Sequence, residues 1–295
     1  MNVFKTYHPI VNFTYFFLVI LFSSFIMNPV FLLISLFSAI VYSVILKGRK
    51  AVKFSIYYML PLLLVSALMN PLFNHEGATI ITYFKSGNPL TLESIVYGIS
   101  AAVMIIGIIE WFSCFNEIMT SDKIIYLFGK IIPSMSLIIS MSLRFVPMFK
   151  SELKEIIKAQ KCIGRDISKG PPIKRAKRAI NVLSQMITRA LENAVDTADS
   201  MKSRGFGLEG RTSFSNFDFT LRDKIAMLYI LVLGIFIIVG NCFNIISFKY
   251  FPSISFCGFN TFSISIYFSY FMLCFLPVLI EMLEERKWKS IELKI

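Results

Sequence analysis

The feature that most constrains this chain is a series of apolar runs long enough, or nearly so, to cross a lipid bilayer. They read Ile10–Met27, Val30–Leu46, Phe54–Met69, Leu92–Phe115, Ile225–Gly240 and Phe262–Glu281. A spanning helix needs about 20 apolar residues, and in hydrocarbon only helices and closed barrels satisfy every backbone polar group. Composition agrees: 56% of the 295 residues are hydrophobic, 30 are Phe, and mean hydropathy is +0.68. Soluble domains are about 45–50% apolar. The expected fold class is an all-α polytopic membrane protein with about six transmembrane helices.

Charge orients these runs. Asn28-Pro29 separates the first two into a hairpin, and the basic loop "KGRKAVK", Lys47–Lys53, follows. Cytoplasmic loops concentrate Lys and Arg, so this loop, and with it the N-terminus, is placed in the cytoplasm. The first run has no small-residue cleavage site after it and reads as a retained span. Leu72–Pro89, with His75, Gly77, Gly87 and Asn88, reads as an irregular external loop. A second external loop, "NIISFKYFPSISFCGFNTF", joins the last two spans, and the tail "EERKWKSIELK" returns to the cytoplasm. The formal charge of +12 sits mainly between apolar segments, which favours this topology over nucleic-acid binding.

Between the fourth and fifth spans lies a long insertion. Met148–Arg211 holds 14 Lys+Arg and 7 Asp+Glu, so +7 of the +12 is here. The preceding stretch, Ile124–Phe149, is apolar enough for another crossing. One crossing from the cytoplasmic Lys123 would carry the basic segment outside, so the stretch is expected to dip into or lie along the inner leaflet. Three regions follow: 1–123 with about four spans, 124–223 with the inner-leaflet segment and cytoplasmic helices, and 224–295 with about two spans and the tail.

Two long helices are predicted in the insertion. The first runs from Pro133 to Gly164. The second opens after Pro171-Pro172, where proline suits a first turn, and runs to Arg204. Its apolar positions, Ile173, Ala176, Ile180, Leu183, Ile187, Ala190, Ala194, Ala198 and Met201, recur at steps of three and four and form one stripe. Such a helix is roughly 45–50 Å long. Ala190, Ala194 and Ala198 suit close packing on the first helix. Gly205 supplies a C-cap. Arg204 has two readings: it complements the negative end of the helix dipole, or it projects beyond the helix to fork onto a carboxylate of another protein. Glu110 and Arg144 are ionisable groups within apolar stretches, and they either pair or reach the membrane interface separately.

Catalytic signatures are missing. The sequence contains no G-x-x-x-x-G-K-[ST], no G-x-S-x-G and no H-E-x-x-H, and offers no defensible carboxylate pair. The two histidines are scattered, and the five cysteines form no C-x-x-C pair. No catalytic residue, cofactor or metal site is expected.

The stretch "SLRFVPMFKSELKEIIKAQKCIG", Ser142–Gly164, resembles the signature of the transmembrane T component of energy-coupling factor (ECF) transporters, the cobalt/nickel and vitamin importers. The pattern falls on Leu143-Arg144-Phe145, Pro147, Glu152, Ala159-Gln160 and Cys162-Ile163-Gly164. The family's second motif falls on Ser203-Arg204-Gly205-Phe206. His8-Pro9 and Thr120-Ser121 also fit, and the resemblance covers most of the chain in the right order. It implies membrane helices plus long cytoplasmic coupling helices whose two arginine motifs, at Gly164 and at Ser203-Arg204-Gly205, dock onto two ATP-binding cassette ATPase subunits. It also implies a small substrate-binding membrane subunit, whose tipping on ATP hydrolysis releases substrate inside a cell. One departure stands out. Ile163 occupies the first motif's arginine position, and Arg165 follows Gly164; one residue is about 100° of helix rotation, so Arg165 inherits the role only where the helix end unwinds.

The resulting expectation is a non-catalytic coupling subunit of an ATP-driven importer in the plasma membrane, with both termini cytoplasmic. The alternatives are an autonomous permease or an integral-membrane enzyme, although only scattered polar groups lie within the spans. A third reading takes the basic insertion as a nucleic-acid or anionic-lipid surface. Its few aromatics and interleaved acids argue against nucleic acid. The transported substrate is not written in the chain.

Overall fold

The computed structural model describes residues 3–83, 89–131, 133–168, 171–206, 217–243, 245–256, 258 and 260–292, with side chains other than those of 130–137 and 288–292. The chain divides into two compact units. One comprises Met1–Lys123 with Phe217–Ile295, and the other is Ile124–Asn216.

The first unit is built from α1 (Pro9–Phe25), α2 (Pro29–Lys47), α3 (Arg49–Phe73) and α4 (Leu92–Ile118). At Ser121–Ile131, α5 leads into the second unit, which holds α6 (Pro133–Cys162) and α7 (Pro172–Ser203). The chain returns to the first unit for α8 (Leu221–Cys242) and α9 (Thr261–Glu292). Among the described residues, α2, α3, α4, α8 and Thr261–Lys287 of α9 are long and apolar enough to cross a membrane; α1, at 17 residues, is shorter. The fold is thus an all-α polytopic membrane fold. Neither α5 nor α6 belongs to the membrane-crossing set.

Local chemistry sets the helix starts. Proline is the first residue of both α1 and α2, a position where its missing N–H costs nothing. The preceding residues cap them: His8 Nδ1 accepts from Ile10 N–H at 3.3 Å, and Asn28 Oδ1 from Val30 N–H at 2.9 Å. Thr220 and Asp223 close a capping box on α8, satisfying two terminal donors reciprocally.

The core of this unit is aromatic. Phe4, Tyr15, Phe16, Tyr42, Trp111 and Tyr270 are fully buried where α1, α2, α4 and α9 meet. Several of the polar groups inside it are paired, although the Tyr42, Ser38 and Ser43 hydroxyls are not, among the described residues. Ser35 Oγ lies 2.7 Å from Ser23 Oγ and accepts from Trp111 Nε1 at 2.9 Å, while Tyr15 OH donates to Cys274 O at 2.9 Å. Gly98 lets α4 approach α3 closely, since a Cβ there would stand 2.7 Å from Ala67 O.

Two expectations are corrected. The third apolar run continues as helix past Asn70-Pro71 to Phe73. A proline near a helix end removes little of the ladder. The loop expected to be irregular contains an antiparallel pair, Ile80–Tyr83 with Pro89–Thr91, and the second external loop pairs Phe248–Lys249 with Ser255–Phe256. Strands of two to four residues are too short to leave a period-two signature. Ala78 N–H donates to Pro252 O at 2.9 Å and ties the two loops together.

Candidate functional site

Within the second unit α6 and α7 pack together as a helical pair. Gln160 Nε2 donates to Gln185 Oε1 at 3.3 Å, and Asn193 Nδ2 donates to Glu152 Oε1 at 3.4 Å. Eight residues separate the partners on each helix, and the order is reversed, so the pair is antiparallel. Glu152 and Gln160, two residues of the predicted motif, are therefore cross-links to α7. Ile156 and Val182 are buried in this unit. Arg144, Pro147 and Ala159 are exposed on α6.

The two helix ends have the same architecture. Gly164 has φ +79° and Gly205 φ +72°, the left-handed conformation that glycine adopts without penalty. At the first end, Gly164 N–H donates to Lys161 O at 3.1 Å and Arg165 N–H to Gln160 O at 2.9 Å. At the second, Gly205 N–H donates to Lys202 O at 3.0 Å and Phe206 N–H to Met201 O at 3.0 Å. Both are Schellman caps. The equivalence this establishes is Ile163 with Arg204, Gly164 with Gly205, and Arg165 with Phe206. Arg165 thus does not take the position of Arg204; Ile163 does, and it is 70% exposed. Arg204 is also exposed and has no carboxylate partner among the described residues.

The caps are far apart. Arg178 Nη1 donates to Asp166 O at 2.6 Å, which holds the segment after the first cap against the start of α7. Arg204 lies 26 residues beyond Arg178, about 39 Å along a helix.

The packing face of α7 differs from the expected one. The buried and half-buried positions are Arg178, Val182, Met186, Ala190, Asn193, Thr197, Ala198 and Met201, whereas Ala194 is exposed. Ile180, Leu183, Ile187 and Leu191 are exposed as well. The apolar stripe is wider than one neighbouring helix covers. The contact with α6 takes its Val182 edge, so two of the three alanines lie at the margin of the contact and the third outside it.

In the first unit, Glu110 is buried and its Oε1 accepts from Ser55 Oγ. A second polar cluster gathers where the chain leaves this unit and where it re-enters. Lys123, nearly completely buried, donates to Lys5 O at 2.6 Å. With the Asn12 amide turned so that its oxygen faces Lys123, that oxygen accepts at 2.7 Å and the amide nitrogen donates to Phe4 O at 3.2 Å. Burial, reinforced by Lys5, lowers the Lys123 amine to about 8. On the re-entry side, His8 N–H donates to Asp223 Oδ1 at 3.0 Å, and Arg222 sits 4.2 Å over the Tyr7 ring. The N-terminal turn Phe4–Thr6 and its flanks thus hold both crossings at once.

The cobalt transport protein family, CbiQ, matches residues 2–214, from the N-terminal turn through the end of α7. The chain belongs to the CbiQ family. Its relatives carry the name energy-coupling factor transporter transmembrane protein EcfT. That of Lactobacillus helveticus (strain DPC 4571) is 37% identical over 109 residues, 36% of this chain and 39% of the relative. Those of Staphylococcus aureus (strain 04-02981) and Bacillus subtilis (strain 168) are 28% and 26% identical over 190 and 202 residues. These longer matches cover 60% and 65% of this chain and 69% and 74% of the relatives. The first relative is matched over only about two fifths of its length. The chain is accordingly a transmembrane protein of a transport family, as its resemblance to T components implied.

Seen as a CbiQ-family fold, the motif residues divide by position. Glu152 and Gln160 face α7; Gly164 and Gly205 shape the helix ends; Arg165, Ser203 and Arg204 are exposed beside them. Lys123, Asn12, Arg222 and Asp223 escaped the sequence reading. His8-Pro9 and Thr120-Ser121, noted only for their fit to the family pattern, stand beside this cluster.

Proposed function

We propose that this protein is the coupling subunit of an ATP-driven importer of the ECF type, with ATP hydrolysis carried out by two ATP-binding cassette subunits. It passes their movement to a small membrane subunit that binds the substrate, a vitamin or a transition-metal ion. It works in the plasma membrane with both termini cytoplasmic, and it has no catalytic residues of its own. The observation that carries this reading is Arg204: an exposed guanidinium held by a Schellman cap at the end of a 32-residue helix, without a carboxylate partner among the described residues. Arginine in such a place is suited to bidentate capture of a carboxylate on another protein. The other cap, held near Arg178 about 39 Å back along α7, leaves room for a second protein partner.

The test is co-purification with the two ATPases, followed by uptake in vesicles. Arg204→Ala is expected to leave the protein in the membrane and to weaken ATPase association by about 2–5 kcal/mol, part of it from the partner charge left unpaired. Arg165→Ala, at the position equivalent to Phe206, is expected to do less. Wild-type recovery and uptake in Arg204→Ala would remove Arg204 from the interface. Equal loss in the two variants would make Arg165 the functional replacement for the arginine missing at Ile163.

A further inference from the structure

The most exposed of the membrane-crossing helices is α3, with scarcely any of its apolar window buried. Its first two turns carry cations. Lys47, just before it, is turned inward and donates from Nζ to Ser113 O at 2.9 Å and to Ser113 Oγ at 2.6 Å. Lys50 and Lys53 are not engaged in this way. They are exposed and have no carboxylate partner among the described residues. Together with Phe54, Tyr57 and Tyr58 they line an open cavity of about 540 Å³.

Those five residues stand at i, i+3, i+4, i+7 and i+8, one face of a helix. A π-helical turn, Ser55–Met59, lies within this face, a feature frequent at functional sites. Ser55 is bound to Glu110 on α4, which fixes the turn against the protein, while Tyr57 and Tyr58 are 72% and 67% exposed. Exposed apolar surface continues through Leu60, Leu64, Val65 and Leu68. The order along α3 is thus ammonium groups, then phenols, then aliphatic side chains. From Tyr57 to Leu68 is eleven residues, about 16 Å, which matches half of a hydrocarbon core of about 30 Å.

We propose that this surface binds one anionic phospholipid. Lys50 and Lys53 hold the phosphodiester headgroup, the tyrosine hydroxyls donate to the glycerol-ester region, and the acyl chains run along Leu60, Leu64, Val65 and Leu68. Tyrosines at the polar–apolar boundary suit the interfacial belt, and paired ammonium groups suit an anionic headgroup. A free phosphate ion would satisfy the lysines but leave the aromatic and aliphatic part of the surface without a ligand. The inference does not depend on the coupling role.

The test uses the full chain in nanodiscs of mixed phosphatidylcholine and phosphatidylglycerol. Native mass spectrometry after release then counts the lipids retained. Wild-type protein should keep phosphatidylglycerol preferentially. Lys50→Gln with Lys53→Gln should lower that preference by about tenfold to thirtyfold. Lys50→Arg with Lys53→Arg should keep it, and so should Arg286→Gln with Lys287→Gln, which removes the same charge from α9. Unchanged preference in the glutamine pair, or equal loss in the α9 pair, overturns the proposal. Displacement of the lipid by inorganic phosphate alone would also overturn it, because the site would then recognise a small anion.

Discussion

Replacing Gly205 by Ala perturbs the backbone conformation that closes the end of α7. The residue holds φ +72°, where an L-residue pays about 1–2 kcal/mol. Two hydrogen bonds depend on it, Gly205 N–H to Lys202 O and Phe206 N–H to Met201 O, both at 3.0 Å. Terminal turns open at a free energy near zero, so the penalty shifts the capping equilibrium about fivefold to thirtyfold and lowers a capped fraction near one half by about threefold to fifteenfold. On the proposed coupling role, a partner that grips Arg204 only in the capped geometry binds more weakly by the same factor. Gly205→Asn is the discriminating variant, because asparagine enters the left-handed region several-fold more readily than other side chains. It should retain most of the wild-type behaviour. Hydrogen exchange at Ser203–Phe206 reads the cap, and equilibrium binding to the ATPase subunits reads the consequence. The reasoning fails where Gly205→Ala exchanges and binds like wild type, or where Gly205→Asn is as damaging as alanine.

Two further predictions test the membrane unit. Lys123 titrates near 8 when folded and near 10.5 when unfolded, so between these values the unfolded chain binds more protons and stability rises with pH. The buried charge costs up to about 3 kcal/mol below pH 8; the melting temperature of wild type relative to that of Lys123→Met, both in detergent, should therefore rise from pH 8 to pH 10, and a difference that does not change with pH would refute the assignment. Gly98→Ala places a methyl group 2.7 Å from the Ala67 carbonyl oxygen, a backbone atom that cannot rotate away, so a loss of about 1–3 kcal/mol is expected. Gly240→Ala meets only the side chain of Ile266, with Cδ1 nearest, and should cost less in the same melting assay.

What the sequence revealed was local chemistry repeated over long stretches. Proline at a first turn and glycine in a left-handed cap bracketed the two long helices to within two residues: Pro133–Cys162 against an expected end at Gly164, and Pro172–Ser203 against Arg204. The six apolar runs were legible for the same reason, since hydrophobicity accumulates along a helix. Which edge of a wide stripe packs was not legible. Ile180 and Val182 are both apolar, and only the presence of α6 decides that Val182 is buried and Ile180 left exposed. The cluster around Lys123 was hidden differently. Its acceptor at Lys5 is a backbone carbonyl 118 residues away, and a carbonyl leaves no mark on the sequence.

The equivalence of the two caps sharpens the question raised by Ile163. At the first end the C-cap residue is Ile163 and the residue after glycine is Arg165. At the second the C-cap residue is Arg204 and the residue after glycine is Phe206. Each end therefore offers one apolar side chain and one arginine, in opposite order about the same glycine turn. The backbone hydrogen bonds are superimposable in kind, so the difference lies in the side chains presented. On the coupling role, a groove that accepts Arg204 needs a carboxylate at C-cap depth and an apolar wall beyond it. A groove that accepts Ile163 needs the apolar wall at C-cap depth and the carboxylate beyond. A single groove cannot satisfy both orders without stranding a charge, which costs several kcal/mol when buried. On that role the two ends should select non-identical partner surfaces, and the order Ile163-Gly164-Arg165 would act as a specificity device and not as a weakened copy of the second motif.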